Sequence, residues 1–131
     1  VQLGSVDTNK IYENIKTLGS LPEEERALKL TLEALKDEMP ESYTVKVNTT
    51  DLKIKVIPDT VITRRRDIKV DGLDLELTEY NVRAENDVQL HEQMFLNSVF
   101  GNNIFAVTIE NHKLKNNQMT RLFIVKKQVL Q

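Results

Sequence analysis

Cysteine is absent from this 131-residue chain, and that single gap excludes a disulfide framework, a thiolate nucleophile, a Cys-ligated zinc and an iron–sulfur cluster. Small exported domains usually rely on disulfide staples, so their absence points to a reducing, cytoplasmic-type compartment. Tryptophan is missing too and aromatics make up only 5%, which leaves the core to Leu, Ile and Val. The four glycines form no phosphate-cradling loop, which argues against nucleotide binding and leaves no cofactor motif. No Gly-x-Ser-x-Gly elbow is present either. The longest apolar stretches, 104–109 and 122–125, fall far short of the roughly 20 residues that cross a bilayer, and no stretch reads as a signal peptide. An excess of basic charge is also lacking: the net charge is −2, where nucleic-acid binders typically carry a basic domain or stripe.

What is present fits ordinary folded protein, with 40% hydrophobic and 29% charged residues. The length suits one domain spanning residues 1–131 that buries a core without staples. The chain begins with Val, which reads as a processed or excised product, and Val1–Ser5 reads as a vector-derived tail.

Periodicity predicts an α+β domain. Ile11, Ile15 and Leu18 recur at helical spacing after Asp7-Thr8, with Gly19 as a stop. Ser20-Leu21-Pro22-Glu23 reads as a capping box opening a second helix, with Glu23, Glu24 and Glu25 in its first turn. Leu28, Leu32, Leu35 and Met39 form its apolar stripe and Pro40 ends it. From Tyr43 the period becomes 2. Tyr43, Val45 and Val47, then Leu52, Ile54 and Val56, predict a β-hairpin turning at 48–51. Asp71-Gly72 predicts a second hairpin with a two-residue turn. Its register sets Val70 against Leu73, Lys69 against Asp74 and the like-charged Asp67 against Glu76. Residues 85–100 return to helical spacing and predict a buried helix, and Ile104–Ile109 and Leu122–Val125 predict a closing strand pair. The expected order is α-α-β-β-β-β-α-β-β, with two N-terminal helices and an antiparallel sheet.

Three groups of polar residues carry possible chemistry. Arg64, Arg65 and Arg66 are adjacent. On a regular strand Arg64 and Arg66 share one face, where they fit an anion, nucleic acid or an acidic partner, or simply a salt-bridge lattice. Pro58-Asp59 followed by Asp67-Ile68-Lys69 resembles the metal-dependent nuclease pattern of Pro-Asp and acidic-x-Lys. That resemblance implies Asp59 and Asp67 as carboxylates on Mg²⁺ and Lys69 positioning the attacking water, and a bound cation would also give the like-charged Asp67–Glu76 pair a rationale, with Glu76 as a further ligand. His91-Glu92 and the distant His112 lack the i, i+4 spacing of a helical metal site.

Apolar surface is the remaining resource. Leu30 lies off the Leu28–Met39 stripe, and the helices carry more apolar face than one small sheet needs, which suits homo- or hetero-association. Without coherent catalytic equipment, the leading expectation is a non-catalytic interaction or assembly module that binds protein or itself. The Asn-, Lys- and Ile-rich composition suggests a phage or mobile-element source. The alternatives are the nuclease and a nucleic-acid binder using Arg64–Arg66.

Overall fold

The computed structural model describes residues 8–50 and 52–127. The expected tail Val1–Ser5, the Asp7 start of the first helix and Asp51 of the expected turn lie outside them. Two helices come first, α1 (Thr8–Thr17) and α2 (Glu23–Lys36). They are followed by β1 (Thr44–Val47), β2 (Lys53–Ile54), β3 (Thr60–Val70), β4 (Leu75–Ala84), β5 (Val88–Gln89), β6 (Ile104–Ile109), β7 (Lys113–Leu114) and β8 (Met119–Lys127). The α+β class, the antiparallel sheet and the broad order of elements are as expected, and three details differ: a strand pairing, a register and one segment's conformation.

The first is the N-terminal hairpin. β1 and β2 do not pair with each other; both lie antiparallel along the same edge of β3, Val45 opposite Ile68 and Ile54 opposite Ile62. They act as one interrupted edge strand of a sheet ordered β1-β3-β4-β8-β6, with β2 also on β3. The second is the register of β3 and β4. The turn spans four residues, Asp71–Asp74, so Val70 faces Leu75, Lys69 faces Glu76 and Asp67 faces Thr78. The slip of two residues keeps the side chains from Arg66 to Val70 on their expected faces. It also replaces the like-charged Asp67–Glu76 pair by an opposite-charged one, which is the physical reason for preferring it.

The third is the segment 85–100, expected as a buried helix. It forms the short strand β5, paired with β7, and two 3₁₀ turns, Glu92–Phe95 and Ser98–Phe100, the latter capped by Asn97. Leu90, Phe95 and Phe100 are all fully buried. Spacings of five residues place successive side chains about 140° apart on a helix, so no single helix buries all three. An irregular path does, and it brings Phe100 edge-on to both Tyr80 (5.4 Å between centroids) and Phe95 (5.5 Å).

The sheet has a core on each face. Ile62, Tyr80, Val82, Leu122 and Ile124 pack under the 85–101 segment. Ile68, Val70, Leu75, Leu77, Phe123 and Val125 pack under the helices, against Leu18, Ala27, Leu30 and Ala34. The helices use other faces than their leucine pattern suggests. In α2, Ala27, Leu30, Thr31 and Ala34 are buried, while Leu28 and Leu32 of the expected stripe are 59% and 41% exposed. Alanines at i and i+7 let the helix approach the sheet closely, which a leucine there would prevent. The expected capping box is also absent: the Ser20 hydroxyl donates to the Thr17 carbonyl, and Pro22 occupies the N-cap position.

In α1, Ile15 points to solvent and Asn14 is buried, its amide donating to the Ser42 and Asp71 carbonyls (3.1 and 3.0 Å). This side chain ties α1 to the two loops beneath it.

Tyr43 anchors the chain leaving α2: its hydroxyl donates to Glu33 at 2.6 Å, and Glu33 also pairs with Lys29. Burial, reinforced by the Glu33 carboxylate, pushes the Tyr43 phenol well above its ordinary range, and burial raises Tyr80 as well. The folded value exceeds the unfolded value of about 10, so this contribution to stability is full below that pH and is lost as pH rises towards the folded value. In a Tyr12→Phe, Tyr80→Phe background, absorbance at 295 nm should show Tyr43 ionising together with loss of the far-UV circular dichroism. Ionisation near pH 10 in the still-folded protein would contradict the burial.

Candidate functional site

β3 carries the arginine run, and a β-bulge decides what the run does. Arg64 faces Tyr80 and Arg66 faces Glu79, so Arg65 is the extra residue. The bulge reverses the alternation: Arg64 and Arg66, expected on one face, point to opposite faces. Arg64 binds Asp67 through both carboxylate oxygens at 2.7 Å, and Thr78 donates to the same carboxylate (2.8 Å). Arg65 is half-exposed, 3.9 Å from Glu79. Arg66 turns under α2, where it meets Glu79 and Asp37, each at 2.7 Å, and donates to the Ala34 carbonyl at 3.1 Å. Burial pulls the Arg66 pKa down, and the hydrogen bonds to Asp37 and Glu79 more than offset it. The same guanidinium holds the Asp37 carboxyl below its usual range.

This cluster closes the C-terminal end of α2. Asp37 takes the left-handed conformation (φ 57°), and the amides of Asp37 and Glu38 turn back to the Ala34 and Glu33 carbonyls. From β8, Arg121 donates to the Leu35 carbonyl at 3.1 Å, pairs with Glu110, and lies over the Phe123 ring. Two arginines thus satisfy carbonyls at the negative end of the helix dipole. Glu79 is buried between them and was not singled out by motif. Its odd-numbered parity with Leu75 and Leu77, both on the helix-facing side of β4, is the signal that locates it there.

The residues of the nuclease pattern are dispersed. Asp59 sits before β3 in the left-handed conformation (φ 63°), accepting from the Asn86 amide at 2.9 Å. Asp67 lies seven residues along β3 from Thr60, roughly 23 Å of extended chain, and its carboxylate is occupied by Arg64 and Thr78. Lys69 and Glu76 are cross-strand neighbours 4.0 Å apart, with Lys126 on the other side of Glu76 (3.7 Å). Among the described residues, no group of three or more His, Asp or Glu side chains is arranged to hold a metal ion. His112 does meet Glu92, at 2.6 Å, and this hydrogen bond lowers the Glu92 pKa. His91 does not share the contact and precedes the 3₁₀ turn, its carbonyl accepting from Met94. The pair joins the first 3₁₀ turn to the strand pair β5–β7.

The outer face of α2 offers a different kind of surface. Leu21, Leu28 and Leu32 line an open groove of about 500 Å³, edged by Glu25, Lys29, Glu33, Lys36 and Glu38. Edge strand β1 adds exposed Val45 and Val47. No described helix is long and apolar enough to cross a membrane. In comparisons with known proteins, the family described as the TraK C-terminal domain matches residues 12–126. No curated protein matches the chain.

Proposed function

The chain belongs to the TraK C-terminal domain family, and from that premise we propose that it is a non-catalytic, protein-binding module in the assembly of a conjugative DNA-transfer apparatus. The family match over residues 12–126, which takes in the second half of α1, all of α2 and the sheet, carries this reading. The structure supports it with apolar side chains held outward on α2 and along the β1 edge, the kinds of surface that helix-in-groove and strand-addition contacts use. Of the residues nearest to a catalytic pattern, Asp67, Lys69 and Glu76 are engaged in ion pairs within the β3–β4 hairpin and Asp59 accepts from the Asn86 amide.

Removing residues 12–126 from the transfer system tests the proposal. Donor cells should fail to assemble the apparatus while still nicking the plasmid DNA to be transferred. Intact assembly with lost DNA cleavage would overturn it and favour the nuclease reading of Asp59, Asp67 and Lys69.

A further inference from the structure

From the charge and spacing of the α2 groove, we infer that α2 is a self-association face, binding the α2 of a second copy in antiparallel orientation. The inference deepens the assembly reading and rests on it by naming one partner.

The groove has apolar residues at its centre and opposite charges at its two ends. Leu28 and Leu32 are separated by four residues, so they lie on one ridge of the helix. Glu25 lies beyond Leu28 towards the N-terminus and Lys36 beyond Leu32 towards the C-terminus. Lys29 and Glu33 are already paired at 2.8 Å. Glu25 and Lys36 make no ion pair with any described residue.

Self-complementarity follows from helix geometry. Glu25 and Lys36 are about three turns apart, so they project on the same side of the Leu28–Leu32 ridge. At 1.5 Å per residue they lie about 7.5 and 9 Å from the midpoint between the two leucines. On a two-fold-related antiparallel copy, each Glu25 therefore comes level with the partner's Lys36 to within about 1.5 Å, while Leu28 meets Leu32 across the axis. The helix dipoles also oppose one another in this arrangement. The helix's own dipole accounts for an acidic first turn and a basic last turn; their near-equal distances from the two leucines are what a second, antiparallel copy can use.

Sedimentation of the full chain over a concentration series should show a reversible monomer–dimer equilibrium. Leu28→Glu should abolish it with circular dichroism and thermal midpoint unchanged. Glu25→Lys and Lys36→Glu should each weaken it about tenfold or more, because either one sets two like charges against each other across the axis. Combining both reversals in one chain restores the opposite pairing and should restore dimerisation. A chain that stays monomeric, a dimer indifferent to Leu28→Glu, or a double reversal no better than the singles would each overturn the inference. Failure here, with apparatus assembly still dependent on residues 12–126, leaves the assembly reading standing. A dimer in cells whose assembly ignores the deletion overturns that reading and leaves the self-association face.

Discussion

Arg66→Ala should lower the unfolding free energy by about 3–5 kcal/mol, because it strips a buried carboxylate of its close partner. Glu79 is 1% exposed, and without Arg66 the remaining cation is Arg65 at 3.9 Å. The substitution also releases the Ala34 carbonyl at the end of α2 and the carboxylate of Asp37, whose backbone caps the helix. The cost belongs to breaking the pair, and the pair itself has little net value over a well-packed apolar replacement. Arg66→Met with Glu79→Leu should therefore lie much closer to wild type than either single substitution. Urea denaturation of the four proteins gives the coupling energy directly. Additive single and double losses would show that Arg66 and Glu79 do not act as a pair.

Leu30→Ala should cost about 2–5 kcal/mol, while Leu28→Ala and Leu32→Ala should stay within about 0.5 kcal/mol of wild type. Leu30 has no exposed surface and packs with Ala27 and Ala34 against Ile68, Leu77 and Phe123, so truncation leaves a cavity under α2. The outward leucines have nothing packed over them to lose. Thermal or chemical denaturation at a concentration that keeps the chain monomeric reads the contrast. A large loss at Leu28 with a small one at Leu30 would mean that α2 is rotated from the orientation described.

That rotation is where sequence reasoning went furthest astray, and its cause is physical. Four leucines, Leu28, Leu30, Leu32 and Leu35, surround α2, so hydrophobicity alone fits more than one stripe. Ala27 and Ala34 decide between them because they are small, and a reading weighted by hydrophobicity undervalues small residues. The helix itself was legible from its acidic first turn and its periodicity.

In the β3–β4 hairpin the strands and their inward faces were legible, but the turn length was not. A slip of two residues preserves alternation, so the sole visible warning was the like-charged Asp67–Glu76 pair. The bulge at Arg65 was hidden because three consecutive arginines look alike at any parity. The 85–100 segment resembled a helix because its apolar residues are dense. The five-residue spacing of Leu90, Phe95 and Phe100 was the contrary sign. Arg64, Arg65 and Arg66 were visible as a candidate cluster, and Asp67 beside Arg64 is close in sequence, but Asp37 and Glu79, the partners of Arg66, come from distant parts of the chain and are joined only by the fold.

Within the assembly reading, the self-association inference places the working surface on the outer face of α2. Leu28→Glu together with Leu32→Glu, introduced into the transfer system, tests this most directly when DNA transfer frequency is measured beside protein level and thermal midpoint. The account predicts a normal level, an unchanged midpoint and transfer reduced at least tenfold, the loss expected from about 1.4 kcal/mol of contact energy. Wild-type transfer from cells carrying both substitutions would contradict it.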